Sequence, residues 1–108
     1  MKTKKLPPVS PGEVLRDLFM KPLGLTQHEL AAALGVDVTR INRIIKGKTT
    51  ITPDTALRLG RYFGTSAQLW LNMQTRYDLE IAEDKLWEEI RRTVKPRLQK
   101  DLSQVSAG

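Results

Sequence analysis

Thr39, Arg40, Asn42 and Arg43 sit in one short stretch with Ile41, Ile44 and Ile45. The isoleucines are too apolar to leave in water, so on a helix they turn inward and push the polar residues onto the outward arcs. Thr39, Arg40 and Arg43 then share one exposed face. An arginine presented this way reads guanine through two hydrogen bonds, which gives ~1–3 kcal/mol of discrimination per pair. Thr39 offers a hydrogen bond or a methyl contact, Val38 can pack on a thymine methyl, and Asn42 lies on a neighbouring polar arc. Lys46 and Lys48 follow the helix and suit the flanking phosphates. Gln27, at the start of the preceding helix, is placed to bind a phosphate with its amide and the free N–H groups there. Residues 35–49 hold four bases and one acid. The chemistry expected of this group is duplex DNA binding.

Catalysis is poorly served. The chain has a single histidine, His28, in the first turn of a helix beside Glu29, with no nearby serine or cysteine nucleophile. Glu83–Asp84 and Glu88–Glu89 are sequence neighbours and point to different sides of a helix, so neither looks like a catalytic carboxylate pair. We expect no enzyme. The absence of cysteine excludes a disulfide scaffold and a thiolate zinc site. One histidine leaves no cluster for a metal, and no cofactor is expected. Lys and Arg number 18 against 12 Asp and Glu, a net charge of +6 in 108 residues, which makes nucleic acid the first partner to consider. No apolar run approaches the ~20 residues of a membrane span. The basic start is not followed by the apolar stretch of a secretion signal. A cytoplasmic, nucleoid-associated protein is the expectation.

The elements that must position these residues are marked by caps. Ser10-Pro11-Gly12-Glu13, Thr26-Gln27-His28-Glu29 and Thr65-Ser66-Ala67-Gln68 each read as a capping box, and Thr52-Pro53-Asp54 as a further start. Asp37 can cap the arginine-bearing helix through its carboxylate. Gly24, Gly35, Gly47 and Gly64 fall where a left-handed residue would end a helix or turn the chain. Apolar residues recur at three and four between these marks. The first helix carries Val14, Leu15, Leu18 and Phe19; the second Leu30, Ala31 and Leu34; the fourth Ala56, Leu57, Leu59, Tyr62 and Phe63. A fifth helix is expected from about Ser66 to Glu83, and a last one from about Asp84 to Val94, ended by Pro96. The fold is therefore all-α, with five helices and a C-terminal helical extension.

The chain divides into a basic arm (1–9), a helical domain (10–83) and a C-terminal helix with a fraying tail (84–108). Charge segregates near the end: residues 78–89 carry six acids and one base, and residues 91–100 carry five bases and no acid. Residues 25–48 have the spacing of a helix-turn-helix, with Gly35 in the turn, Ala31 small at the crossing, and Val36 and Ile41 fixing its angle. One such unit covers too little DNA for firm specificity, so a dimer with recognition helices ~34 Å apart is expected. Trp70, Leu71, Gln74 and Tyr77 cover more than one face of the fifth helix. One face must pack on the domain, and we assign these four to the dimer interface, with Trp70 equally open to the core.

Leu25-Thr26-Gln27-His28-Glu29-Leu30-Ala31, with Gly35-Val36 and Gly47-Lys48, resembles the Cro/C1-type (XRE) helix-turn-helix. Pro11-Gly12-Glu13-Val14-Leu15 and Phe63-Gly64-Thr65-Ser66-Ala67-Gln68-Leu69-Trp70-Leu71-Asn72-Met73-Gln74, followed by Tyr77-Asp78-Leu79, narrow the resemblance to the HigA (VapI-like) antitoxins. The chain departs from that family's usual pattern at Ser10 and at Ser66-Ala67-Gln68-Leu69. The resemblance implies a lambda-repressor-like fold and a homodimer that binds a palindromic operator in its own promoter. It further implies a RelE-like (HigB-type) mRNA endonuclease toxin as protein partner. Matching residue by residue, it puts Gln27 on phosphate and Val38, Thr39 and Arg43 on bases. Such toxins are basic, so the acidic stretch 78–89 is one candidate contact, with the first helix and the basic arm as others. A plain XRE transcriptional repressor without a toxin is the alternative, and a pure inhibitor with a vestigial DNA surface is a third reading.

Overall fold

The computed structural model describes residues 7–97. The expected arm is thus described only from Pro7, and the tail beyond residue 97 lies outside the described residues. The described residues are all-helical, as their periodicity requires, and form five rods. The first is continuous from Pro11 to Leu23: α1 (Pro11–Val14), a wider π-type segment (Leu15–Met20) and α2 (Lys21–Leu23). Then come α3 (Gln27–Leu34), α4 (Val38–Ile45), α5 (Pro53–Phe63) and α6 (Ala67–Thr93).

The caps explain most of the boundaries. Ser10 Oγ accepts from the Glu13 amide at 3.2 Å. Thr26 and Glu29 complete a reciprocal box, at 3.0 Å and 2.9 Å. α6 starts one residue later than expected: Ser66, rather than Thr65, accepts from the Leu69 amide at 3.0 Å. Asp37 is the residue before α4, but its carboxylate makes no capping bond. Gly35 ends α3 at φ +72°, a conformation that costs other residues ~1–2 kcal/mol.

Two helices differ from the sequence expectation. The π-type segment in the first rod carries the Lys21 amide back to the Arg16 carbonyl, five residues away. That extra residue per turn rotates the face: Leu15 and Met20 are buried, and Leu18 faces solvent. The fifth and last helices expected near Glu83–Asp84 are one uninterrupted rod, α6. Residues 80–90 hold no glycine or proline, so nothing breaks the ladder.

The core gathers Leu15, Leu30, Ile41, Ala56, Leu59 and Trp70, all at 0% exposure. Full burial of each leucine or isoleucine side chain contributes ~1.5–3 kcal/mol. Trp70 closes the core from α6: its ring lies 5.0 Å from Phe19, and its Nε1 donates to Thr65 Oγ1 at 2.9 Å. Gly12 matters for a different reason from Gly35. A Cβ there would stand 2.0 Å from the Ile44 carbonyl oxygen, so α1 seats against α4 only because it has no side chain at this point. Gly12→Ala is expected to destabilise at the upper end of the ~1–3 kcal/mol typical of overpacking, measured by urea unfolding.

Candidate nucleic-acid interface

Ile41 and Ile44 are buried, and Ile45 packs partly against the core. α4 is therefore held by one face, and its opposite face is set by the 100° step of the helix. Thr39 and Arg43, one turn apart, are exposed there. Lys46 and Lys48 are exposed just beyond the helix. Arg43 Nη2 reaches the Lys48 carbonyl at 3.4 Å, which folds the guanidinium over the start of the following loop. Val38 is half-buried and packs against the core, leaving only part of its side chain outward.

Gln27 and Asn42 are brought together. Asn42 Nδ2 donates to Gln27 Oε1 at 3.1 Å. The bond joins the start of α3 to the middle of α4 and turns the Gln27 carbonyl inward, leaving its amide Nε2 as the free donor. Asn42 is half-buried. It thus orients Gln27 instead of standing on the outer face with Thr39 and Arg43.

Arg40 differs more clearly from the expectation that it shares the Arg43 face. Its Nη1 lies 2.6 Å from Asp54 Oδ2 and 3.3 Å from Thr55 Oγ1, across to α5. Asp54 also accepts from Arg58 Nε at 3.0 Å, and Arg58 Nη1 donates to the Leu34 carbonyl at 2.8 Å. The Asp54 carboxylate so ties α4 to α5, and Arg58 ties α5 to the end of α3. Arg40 is drawn across the surface towards α5, while staying exposed, because α5 places an acid within reach of it. The hydrogen bonds from Arg40 and Arg58 hold the Asp54 carboxyl below its ordinary value. A similar, more local pair joins Arg16 to Asp17, whose carboxyl is lowered to about 2, first by the Arg16 hydrogen bond.

Two of the four residues expected at a dimer interface are internal. Trp70 has 0% exposure and belongs to the aromatic cluster with Phe19 and Phe63. Gln74 is buried: Oε1 accepts from the Ile51 amide at 2.8 Å, and Nε2 donates to Asp78 Oδ1 at 2.9 Å. Both are fully used by their own chain, so neither offers a surface to a second one. Gln74 instead anchors the loop that carries Lys48. Leu71 and Tyr77 are half-buried.

The helix-turn-helix family HTH_3 matches residues 16–70. Virulence-associated protein I of Dichelobacter nodosus is 57% identical over 79 residues, 73% of each chain. Antitoxin HigA-1 of Vibrio cholerae is 35% identical, over 89% of this chain and 90% of the relative. The chain belongs to the HigA antitoxins of the helix-turn-helix family. Among solved structures, Pseudomonas aeruginosa antitoxin HigA with the higBA promoter superposes at a TM-score of 0.82 with 41% identity, covering 84% of this chain and 99% of that one. HigA proteins are DNA-binding regulators and antitoxins, not enzymes. Among the described residues of this HigA chain there is no group of acids and histidines able to hold a metal. Nor is any described helix long and apolar enough to cross a membrane.

Sequence reasoning passed over Arg58 and gave Asp54 only a helix-dipole role. The i,i+4 spacing of Asp54 and Arg58 was a visible signal. The bonds to Arg40 and Leu34 were not, because they span 14 and 24 residues.

Two outcomes are expected. In operator-binding assays, Gln27→Ala and Asn42→Ala lose less together than the sum of their separate losses, with a coupling of ~0.5–3 kcal/mol. Additive losses would show that Asn42 does not act through Gln27. The second concerns acid. Because the folded Asp54 carboxyl is lowered, its stabilisation is present above the unfolded value of 3.8 and is lost as pH falls through the folded one. Asp54→Asn therefore lowers the melting temperature at pH 7, and the gap to wild type closes below pH ~4.

Proposed function

We propose that this chain is the antitoxin of a type II toxin–antitoxin pair, and that it also represses its own operon by binding a palindromic operator. The observation that carries the DNA half is the outward face of α4. Arg43 and Thr39 stand one turn apart on a helix fixed from behind by Ile41 and Ile44. Gln27, oriented by Asn42, supplies the adjoining phosphate contact, and Lys46 and Lys48 supply flanking charge. Val38 adds an apolar edge. Arg40 contributes by holding α4 to Asp54, a positioning role and not a reading one. The P. aeruginosa relative was solved with the higBA promoter, which supports the same use of this surface.

The toxin half rests on membership of the antitoxin family and on charge. A RelE-like (HigB-type) mRNA endonuclease is the proposed partner. Such a basic protein would find an opposite potential on residues 78–89, which carry six acids and one base. The protein would act in the cytoplasm as a homodimer at the nucleoid.

Arg43→Ala is expected to cost ~1–3 kcal/mol on the operator and to relax specificity at one position, while leaving the helical circular dichroism intact. Unchanged operator affinity would remove α4 as the reading face. Wild-type binding should fall with salt at a log–log slope of about −0.9 per neutralised phosphate. Co-expression with the neighbouring reading frame tests the partner: co-purification and growth rescue support the antitoxin, whereas operator binding without either would favour a plain repressor.

A further inference from the structure

We infer that Asp54 is a specificity-determining residue of the DNA-binding surface. Its carboxylate withholds Arg40 from the phosphates of any duplex the protein meets, so that sequence-independent attraction stays low and Arg43 and Thr39 carry the choice of site. The inference rests on the operator reading of α4 and adds a residue outside that helix that tunes it.

The two arginines of α4 stand in different electrical states. Arg43 donates to an uncharged group, the Lys48 carbonyl, and keeps its positive charge for a ligand. Arg40 lies about 60° around the helix from Arg43, at the edge of the same outward face. It is exposed, yet its guanidinium is spent on an anion, Asp54 Oδ2 at 2.6 Å. Packing does not demand an acid at this place. The Asp54 side chain is 54% exposed, and a pair so open to water adds only modestly to stability.

The carboxylate occupies the position of a phosphate. Asp54 Oδ2 accepts from both Arg40 Nη1 and Arg58 Nε, as a phosphate oxygen accepts from guanidinium groups. Thr49, Thr50 and Thr52 line the same open cleft. Asp54 thus fills the seat and carries the charge that repels a phosphate from it. Arg58 is held a second time, by the Leu34 carbonyl at 2.8 Å. Arg40 has a longer bond to a neutral group, Thr55 Oγ1 at 3.3 Å. Removing the charge of Asp54 therefore frees Arg40 above all.

A phosphate contact carries no sequence information. On a scrambled duplex the protein takes any register, including those that would seat a freed Arg40. On the operator the register is already set by Arg43 and Thr39. A freed Arg40 consequently gains more on the wrong DNA than on the right one.

The test compares the full-length wild type with Asp54→Asn, Arg40→Ala and the double variant on the operator and on a scrambled duplex, across a range of salt. Asp54→Asn is expected to bind the scrambled duplex on the order of tenfold tighter at 0.1 M salt, with a log–log slope steeper by ~0.9, and to gain less on the operator. Its lower melting temperature means that such a gain cannot come from a better-folded protein. The double variant loses the gain. Arg40→Ala alone keeps the wild-type slope, a result that does not depend on how well Asp54→Asn folds. Unchanged or weaker scrambled binding by Asp54→Asn would overturn the inference. So would a gain that survives in the double variant, which would be net charge alone, or a slope that loses ~0.9 in Arg40→Ala, which would put Arg40 on phosphate already. A wild type with no preference for the operator overturns the operator reading and this inference with it, whereas a preference left unchanged by Asp54→Asn overturns the inference alone.

Discussion

The burial of Ile41 and Ile44 is the constraint from which the rest of the molecule follows. Those two side chains fix the rotation of α4 about its own axis. Once they are inside, Thr39 and Arg43 have only the outside left, and Arg40 falls on the arc that meets α5. Burying two isoleucines is worth several kcal/mol, and turning the helix to hide Arg43 would forfeit that and add the cost of an unpaired buried charge. The outward face of α4 is thus set by hydrophobic burial on the opposite side.

A polar frame then removes the remaining freedom. Asp54 joins Arg40 and Arg58, and Arg58 reaches the last carbonyl of α3, that of Leu34. Asn42 clasps Gln27. Gln74 holds Ile51 and with it the loop after α4. These side chains touch the ends and edges of the helix-turn-helix, where backbone groups would otherwise be unsatisfied. Their shared consequence is rigidity in the unit that the proposed operator would meet. Gly12 has a comparable part: its missing side chain lets α1 close on the carbonyl of Ile44.

α6 belongs to two environments. Its first part completes the core through Trp70, and its second part meets solvent with leucine, tryptophan and isoleucine side chains. A helix with one half in each setting shows no single stripe over its whole length, which is why periodicity suggested a break near Glu83. The chain has none because that region contains only residues that continue a helix.

Local chemistry was readable from residue order. The caps at Ser10, Thr26 and Thr52, the left-handed glycines, the inward isoleucines and the outward Arg43 all depend on neighbours within about four positions, where sterics and helical period leave little choice. The family resemblance was carried by equally short motifs. Which polar residues would be partnered, and which would stay free, was decided by packing between distant elements. Arg40 met Asp54 across 14 residues, Gln74 met Ile51 across 23, and Trp70 went inside because Phe19 and Phe63 were there to receive it. No periodicity encodes such meetings, since they depend on where separate helices come to rest against each other.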